Sequence, residues 1–368
     1  MNLRGLRIAH LIESDGPGGA ERMLASLAAA LQSAGAENLV IVPATGEGWL
    51  ARELGGTGVQ VEGFHLDRPF SPAFARSLTA TLQRHRIALA HSHEFTMAVY
   101  GSWAAGRAGV PHLFTMHGSR YYAERLQRRV ALRVAAAVSG SVVAVSQELA
   151  RHLKSDLWVG RSRVVTIPNG ARLERVTHSM LRTELHLGPD DRLALAVGNL
   201  YPVKGHRLLL EAFGLLARRF PGLHVAIAGR GDLDAPLRAR AEALGIEGRF
   251  HLLGLRPDIA NLLAGADAFV LPSLSEGLPL ALIEAMLAER PIVATRVGEI
   301  ASVLNGGGER AGMLVPPGDA GALADALAHL LSDSADAGRL AAAAARRGQD
   351  YTLARMMERY LALYASLL

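Results

Sequence analysis

The sequence predicts an α/β protein made of two doubly wound, parallel-sheet domains in tandem. Short apolar runs, each the length of a buried strand, alternate with helix-period segments along nearly the whole chain. The alternation breaks once, over residues 168–191, and then restarts. With 368 residues, half of them hydrophobic, the chain has length and apolar content for two cores.

The first apolar run is 6–13 (LRIAHLIE). A loop, SDGPGG, leads into a helix from about Ala20 to Ser33, whose Met23, Leu24, Leu27, Ala28 and Leu31 recur at helical spacing. Further strands are expected at 38–44, 59–66, 87–92, 112–116, 141–146 and 163–167. Helices at 49–55, 71–85, 95–108, 121–138 and 147–155 separate most of them, which requires a parallel sheet covered on both faces. Residues 168–191 hold no clear strand and carry the linker. The second half gives strands at 192–198, 223–229, 249–253, 268–272, 291–295 and 313–315. Its helices fall at 205–219, 233–244, 257–264, 279–288, 298–303 and 319–332, with the Ala-rich 335–347 also helical. The last segment, YTLARMMERYLALYASLL, is amphipathic and needs a surface to pack on. Domains are therefore expected at 1–170 and 171–349, with a helix at about 350–368 returning to the first.

The chain has no cysteine, which excludes disulfides and thiolate metal sites and fits a reducing cytoplasm. The start, MNLRGLRIAHLIES, does not read as a signal peptide, and no 18-residue apolar stretch is free of charge. Residues 1–170 carry 18 Lys and Arg against 12 Asp and Glu, or +6; residues 171–368 carry 21 against 22, or −1. The basic half fits an anionic partner, a phospholipid surface or a lipid-pyrophosphate acceptor, or else an Arg-rich solvated face. Within it the segment 120–134 (RYYAERLQRRVALRV) sets Arg beside apolar positions, as a half-buried helix or a helix on an anionic membrane would. Lysine occurs only at Lys154 and Lys204, so a lysine in a motif is notable.

The richest stretch is SLSEGLPLALIEAMLAERP, Ser273 to Pro291. A strand precedes it, Gly277 opens its loop, and Pro279 suits the first position of a helix. A strand, a Gly-bearing loop and a helix N-terminus make an anion site at the carboxyl end of a parallel sheet. Glu276 and Glu284, eight positions apart, flank it and would accept hydrogen bonds from hydroxyls. A ligand with both phosphates and hydroxyls, such as a nucleotide-sugar, matches the combination.

Other motifs fall at strand ends. GPGGAE, Gly16 to Glu21, departs from the dinucleotide fingerprint because Glu21 stands where a third Gly is needed, which argues against a nicotinamide site. Gly18 and Gly19 serve either a tight turn or close backbone approach to a ligand. His91, His93 and His117 gather at strand ends. HSHE has metal-ligand chemistry, but strand alternation should send His93 and Glu94 apart, so hydrogen bonding by His117 to a phosphate or sugar is preferred. Lys204, in NLYPVKGH, sits at a helix start where an ammonium suits a pyrophosphate; Lys154 reads as surface. Gly229-Arg230-Gly231-Asp232 is either a plain turn or a turn against a nucleotide.

Taken in order, GGAE, the HG of TMHG, VAVSQELA, IPNG, VGNLYPVKGH, IAGRGD, SEGLPLALIEAM and GMLVPPGD resemble the retaining glycosyltransferases of family 4 (group 1), and the match spans nearly the whole chain. The resemblance implies the GT-B fold, two Rossmann-like domains facing a central cleft, the first for the acceptor and the second for the nucleotide-sugar. It implies that Glu284 holds the ribose and Glu276 the transferred sugar, that Lys204 neutralises the diphosphate, and that Gly277 and Leu278 contact sugar or phosphate through their backbone. Gly18 and Gly19 would close over the phosphates, with His117 by the sugar; Asn199 and Arg230 would lie along the donor. The family often has Arg where Asn199 stands, which shifts diphosphate neutralisation onto Lys204, helix N-termini and Arg207 or Arg230. The catalytic set implied is Glu276, Lys204 and His117, with no metal and no resident cofactor. The donor would be UDP- or GDP-linked, and the acceptor a glycan, lipid-linked or small molecule in cell-surface polysaccharide or glycolipid synthesis. The expected place is the cytoplasm or the inner face of its membrane, with no nucleic-acid partner. The competing readings are a non-catalytic nucleotide-sugar-binding subunit and another GT-B enzyme such as a nucleotide-sugar epimerase.

Overall fold

The structure, a computed structural model, describes every residue except 1, 2, 67, 119, 120, 161, 162 and 175. It forms two compact units, Met1–Gly170 with Leu353–Leu368, and Ala171–Thr352.

The first unit is built on seven parallel strands: β1 (Arg7–Ile12), β2 (Glu37–Pro43), β3 (Gln60–Phe64), β4 (Leu89–His93), β5 (His112–Met116), β6 (Ser141–Ala144) and β7 (Val164–Thr166). Their order is β3-β2-β1-β4-β5-β6-β7. The second has six: β8 (Arg192–Val197), β9 (Leu223–Ala228), β10 (Phe250–Gly254), β11 (Ala268–Leu271), β12 (Ile292–Thr295) and β13 (Met313–Val315), ordered β10-β9-β8-β11-β12-β13. The doubly wound expectation holds in both. Strand order reverses at β1/β4 and at β8/β11, so each sheet opens a crevice at the carboxyl ends of those strands.

The strands form because their residues are apolar on both faces. In β11, Phe269 packs on one side with Leu193, Leu195 and Ile283, while Val270 packs on the other with Phe213 and Leu327. Most boundaries move by one or two residues from those read in the sequence, and the helix expected over 205–219 ends three residues early, at Leu216. The larger differences have local causes. The helix expected over 121–138 splits into a 3-10 turn, Tyr121–Glu124, and a helix, Leu126–Val138, because Arg125 takes extended backbone between them. The helix expected from 205 begins at His206, since Gly205 is left-handed at φ 66°. Pro279 is not the first helical residue but an extended residue outside the helix Leu280–Leu287.

The terminal helix Leu353–Leu367 joins the first unit by a buried polar clamp. His91 exchanges hydrogen bonds with the Tyr364 hydroxyl through Nδ1 (2.7 Å) and the Thr115 hydroxyl through Nε2 (2.8 Å). Thr115 in turn meets the Tyr360 hydroxyl at 3.0 Å. Neighbouring His112 is held by Ser92 and Ser139 at 2.9 and 2.7 Å. Burial lowers the pKa of His10 to about 4 and of His112 to about 3, and sets His91 and His93 well below the ordinary imidazole value. These rings are neutral in the folded unit.

The sign of the pH dependence follows. Between the lowered folded values and the unfolded value of 6.5 the unfolded chain binds more protons, so stability is intact above pH 6.5 and is lost as pH falls below it. Each such histidine contributes up to about 1.4 kcal/mol per pH unit in that window. We expect hydrogen exchange at pH 5 to open the first unit well before the second. Equal protection of both units at that pH would contradict this account.

Candidate functional site

At the β8/β11 switch point the loops after the two strands are laced together. After β8 the chain passes Gly198 and Asn199 into a short 3-10 turn, Pro202–Lys204. After β11 it passes Pro272 and Ser273 to Glu276. The Leu274 amide donates to the Val203 carbonyl at 2.8 Å. A Cβ on Gly205 would lie 2.0 Å from the Pro272 carbonyl oxygen, so only glycine permits this approach. The Thr295 hydroxyl donates to the Ser273 carbonyl at 2.5 Å and anchors the loop to β12.

That lacing delivers Lys204 to Glu276. Lys204 Nζ lies 2.8 and 3.0 Å from Glu276 Oε1 and Oε2, and the Ser273 hydroxyl donates to Oε1 at 2.7 Å. The carboxylate is 7% exposed and the ammonium 26%, so solvent reaches the pair from the lysine side. The two tasks assigned separately from sequence therefore meet in one ion pair. An ammonium has three N–H donors, and Glu276 takes two, which leaves one for a ligand anion. Ser273 carries no assignment in the sequence reading; its signal was a hydroxyl three residues before Glu276.

The remaining residues named for the second unit have the following places. Asn199 is half-buried, and its carbonyl, with that of Gly198, accepts from His206 Nε2 at 3.2 and 3.1 Å. Burial lowers the His206 pKa to about 4, so it holds this loop as a neutral ring. Arg230 is exposed, and its carbonyl accepts from the Leu200 amide at 2.8 Å, which joins the loops after β8 and β9. Gly277 accepts from the Glu299 amide at 3.1 Å. The Leu278 side chain is buried and Glu284 is half-buried on its helix. Arg207, a proposed substitute cation, is exposed 3.6 Å from Glu211 on its own helix.

At the β1/β4 switch point the first unit gathers a second polar cluster. Gly18 precedes the helix Gly19–Ser33, and a Cβ there would lie 2.4 Å from Glu21 Oε2. The loop thus lies directly on the Glu21 carboxyl, whose pKa burial raises despite a Ser14 hydrogen bond. The helix N-terminus is already met by its own acid, while Gly19 has open space around it.

His117 follows β5. Its Nε2 lies 3.1 Å from His93 Nδ1, its ring stacks on His93 at 5.4 Å, and its amide donates to Glu94 Oε1 at 3.1 Å. Burial lowers its pKa to about 3. Strand alternation was expected to send His93 and Glu94 apart. Instead both meet His117, because Glu94 leaves the strand with φ 67°. Left-handed backbone on a non-glycine residue costs about 1 kcal/mol and is held only by its surroundings. Glu94 is buried, and burial with the nearby Glu13 and Glu21 raises its pKa to about 8. Its Oε2 and His117 Nδ1 have no hydrogen-bond partner in the structure. Glu13 caps the following helix by accepting from the Thr96 amide at 2.6 Å.

The trio of histidines that the structure brings together differs from His91, His93 and His117, the three named from sequence, by including His10 in place of His117. His10 of β1 is the register neighbour of His91, and ring nitrogens of His10, His91 and His93 lie within 4.8 Å of one another. His91 engages both its nitrogens with hydroxyls, so this trio is part of the clamp on the terminal helix.

Three comparisons bear on the site. Residues 17–175 match the family profile described as Glycosyltransferase Family 4, and residues 191–333 match that described as Glycosyl transferases group 1. Among relatives, an Escherichia coli UDP-Gal:alpha-D-GlcNAc-diphosphoundecaprenol alpha-1,3-galactosyltransferase is 28% identical, with 70% of each chain covered. A Paenarthrobacter aurescens D-inositol 3-phosphate glycosyltransferase is also 28% identical, covering 95% of this chain and 94% of its own. Among solved structures, a Rickettsia africae glycosyltransferase superposes with TM-score 0.86 at 19% identity, over 99% of this chain and 98% of the other. Anabaena Alr3699/HepE in complex with UDP-glucose gives 0.85 at 23%, over 98% of this chain and all of the other.

Glu94 makes a testable point. Between pH 4.5 and about 8 the folded carboxyl keeps a proton that the unfolded one has lost, so its contribution to stability falls as pH rises. Glu94→Gln mimics the protonated form. We expect its melting temperature relative to wild type to climb from pH 5 to about pH 8 and then level off, measured by differential scanning calorimetry; a constant difference would show that Glu94 is already ionised.

Proposed function

This chain is a glycosyltransferase of family 4 (group 1) with the GT-B fold, and we propose that it transfers a hexose, with retention, from a nucleoside-diphosphate sugar to a lipid-linked or polyol-phosphate acceptor. The observation that carries the reading is the Lys204–Glu276–Ser273 constellation at the second switch point, inside the half that matches the group 1 profile. A UDP-linked donor is favoured by the E. coli relative's name and by the UDP-glucose bound to HepE, with GDP as the other choice. The relatives' names favour an acceptor carrying phosphate, on a polyprenol or on inositol. The second unit is assigned the donor and the first the acceptor. Glu284 is assigned the ribose, and the backbone of Gly277 and Leu278 the sugar or phosphate.

In such a transfer the bond from C1 to the diphosphate oxygen breaks while the acceptor oxygen bonds to C1 on the same face. The acceptor proton passes to the departing phosphate oxygen, so the chain supplies no covalent nucleophile. Negative charge grows on the diphosphate, and stabilising it is the largest demand. Lys204 meets it with the N–H that Glu276 leaves over. Glu276 orients the ammonium in the ground state and presents its carboxylate edge to sugar hydroxyls. The N-terminus of the helix Leu280–Leu287 adds on the order of 1 kcal/mol where it is exposed. Asn199 brings no charge to this site, so the lysine has no cationic neighbour at that position. His117 and the protonated Glu94 offer neutral hydrogen-bonding groups in the first unit, suited to hydroxyls rather than to phosphate.

Two substitutions test the assignment. Lys204→Ala should lower kcat on the order of 10²-fold or more with little change in melting temperature, and near-wild-type transfer would remove it from the mechanism. Glu276→Gln should leave UDP or GDP binding equal or tighter by calorimetry, because a carboxylate competing for the ammonium is gone, while binding of the nucleotide-sugar and its turnover fall. An equal loss for the free nucleotide and the nucleotide-sugar would assign Glu276 to the phosphates instead. Product formed from the nucleotide-sugar without any acceptor would favour an epimerase.

A further inference from the structure

Lys204 reaches Glu276 from a turn that a buried imidazole holds in place. The Gly198 amide donates to the Ala228 carbonyl at 2.9 Å, and after it the chain leaves the sheet. The carbonyls of Gly198 and Asn199 both turn to one donor, His206 Nε2, at 3.1 and 3.2 Å. A Cβ on Gly229 would lie 1.9 Å from the Gly198 carbonyl oxygen, so the loop after β9 also packs against that oxygen. His206 is the first residue of the helix His206–Leu216 and is 2% exposed. A side chain capping that helix would accept from the helix's own amides. This ring instead donates to the preceding loop, so its hydrogen bonds serve the loop.

The ring also borders the lysine. A Cβ on Gly198 would lie 3.7 Å from Lys204 Cδ and 3.9 Å from both His206 Cε1 and Nε2, so the lysine stem and the imidazole edge meet over one glycine. Both partners of Nε2 are acceptors, so Nε2 carries the hydrogen and Nδ1 of the neutral ring is bare. Nδ1 is buried and has no hydrogen-bond partner among the described residues. The other tautomer would turn a lone pair toward two carbonyl oxygens and bury an unused donor, which leaves one tautomer that fits. Protonation is opposed by burial first, and also by the charge on Lys204.

We propose that His206 is a positioning residue for glycosyl transfer: through the two carbonyls at the end of β8 it fixes the turn that carries Lys204, and so the point from which the ammonium meets the donor diphosphate. Asn199 adds no second charge there, so the place of this one ammonium matters more. The proposal deepens the reading above and rests on it for the task of Lys204.

The chain has only two lysines, Lys154 and Lys204, so protein labelled with 15N-lysine reports the Lys204 ammonium directly by NMR. His206→Phe keeps a ring and removes the donor. His206→Gln returns an amide N–H at the reach of Nε2, and His206→Asn returns one a methylene short. The Lys204 signal should move toward that of an unpaired lysine in His206→Phe and His206→Asn and stay in place in His206→Gln. Affinity for UDP or GDP, whichever the wild type binds more tightly, should fall on the order of tenfold in the first two variants and recover in the third, measured by calorimetry. On a Lys204→Ala background His206→Phe should weaken that binding no further, because the two changes act through one group. The Gln and Asn variants both keep a polar amide, so their comparison holds even where Phe destabilises the loop. An unmoved Lys204 signal in His206→Phe and His206→Asn, or His206→Gln behaving as His206→Asn does, would overturn the proposal. So would additive losses in the double variant, which would give His206 a route to the ligand that bypasses Lys204. A signal that moves while nucleotide affinity holds keeps the positioning and removes Lys204 from the phosphates, which separates the failure of the two readings.

Discussion

The absence of a side chain at Gly205 is the constraint on which the second unit's site depends. Two loops from strands on either side of the switch point must run in contact for a lysine on one to reach a glutamate on the other. They do so where a Cβ would collide with the Pro272 carbonyl. The contact is reinforced by the Leu274–Val203 hydrogen bond and by Thr295 from a third strand. Lys204 and Glu276 are thus brought to 2.8 Å by backbone packing, and the ion pair is the result of the fold more than a force that makes it. An exposed pair contributes little to stability, and this one is open on the lysine side. Its value lies in position, because a cation held at a fixed point needs no reorganisation when phosphate charge develops.

The first unit solves a different problem with neutral groups. Its switch point is ringed by His10, His91, His93 and His117 and by Glu94, all removed from water, and burial drives each toward its uncharged form. A core of neutral imidazoles and a protonated carboxyl is polar without being charged. Such a network specifies partners by hydrogen-bond geometry. Four of its buried atoms, His10 Nδ1, His93 Nε2, Glu94 Oε2 and His117 Nδ1, have no hydrogen-bond partner among the described residues, and Glu94 is also strained by its left-handed backbone. The same network clamps the terminal helix through Tyr360 and Tyr364, so the last residues of the chain stabilise the strand that carries the cluster.

The two units therefore differ in electrostatic character in a way that suits the two substrates of a glycosyl transfer. On the proposed reading the charged pair of the second unit serves the diphosphate, and the neutral donors and acceptors of the first serve hydroxyls.

The sequence by itself determined the architecture. Apolar runs of strand length alternating with helices admit few arrangements, and the positions of Gly205, Gly277, Lys204, Glu276 and Glu284 after those runs place them at strand ends, where ligands gather. Tertiary structure alone decided which side chains meet. No local pattern links Lys204 to Glu276, 72 residues apart, or His91 to Tyr364, 273 residues apart, because side chains meet by strand order and register. Strand alternation failed for His93 and Glu94 for a related reason: one left-handed residue, imposed by the packing around it, turned Glu94 back toward His117. Periodicity showed that the helix Leu126–Val138 has an apolar stripe, but not that the stripe faces water, since the hydrophobic effect rewards burial of either face and only the neighbouring elements fix which one is covered.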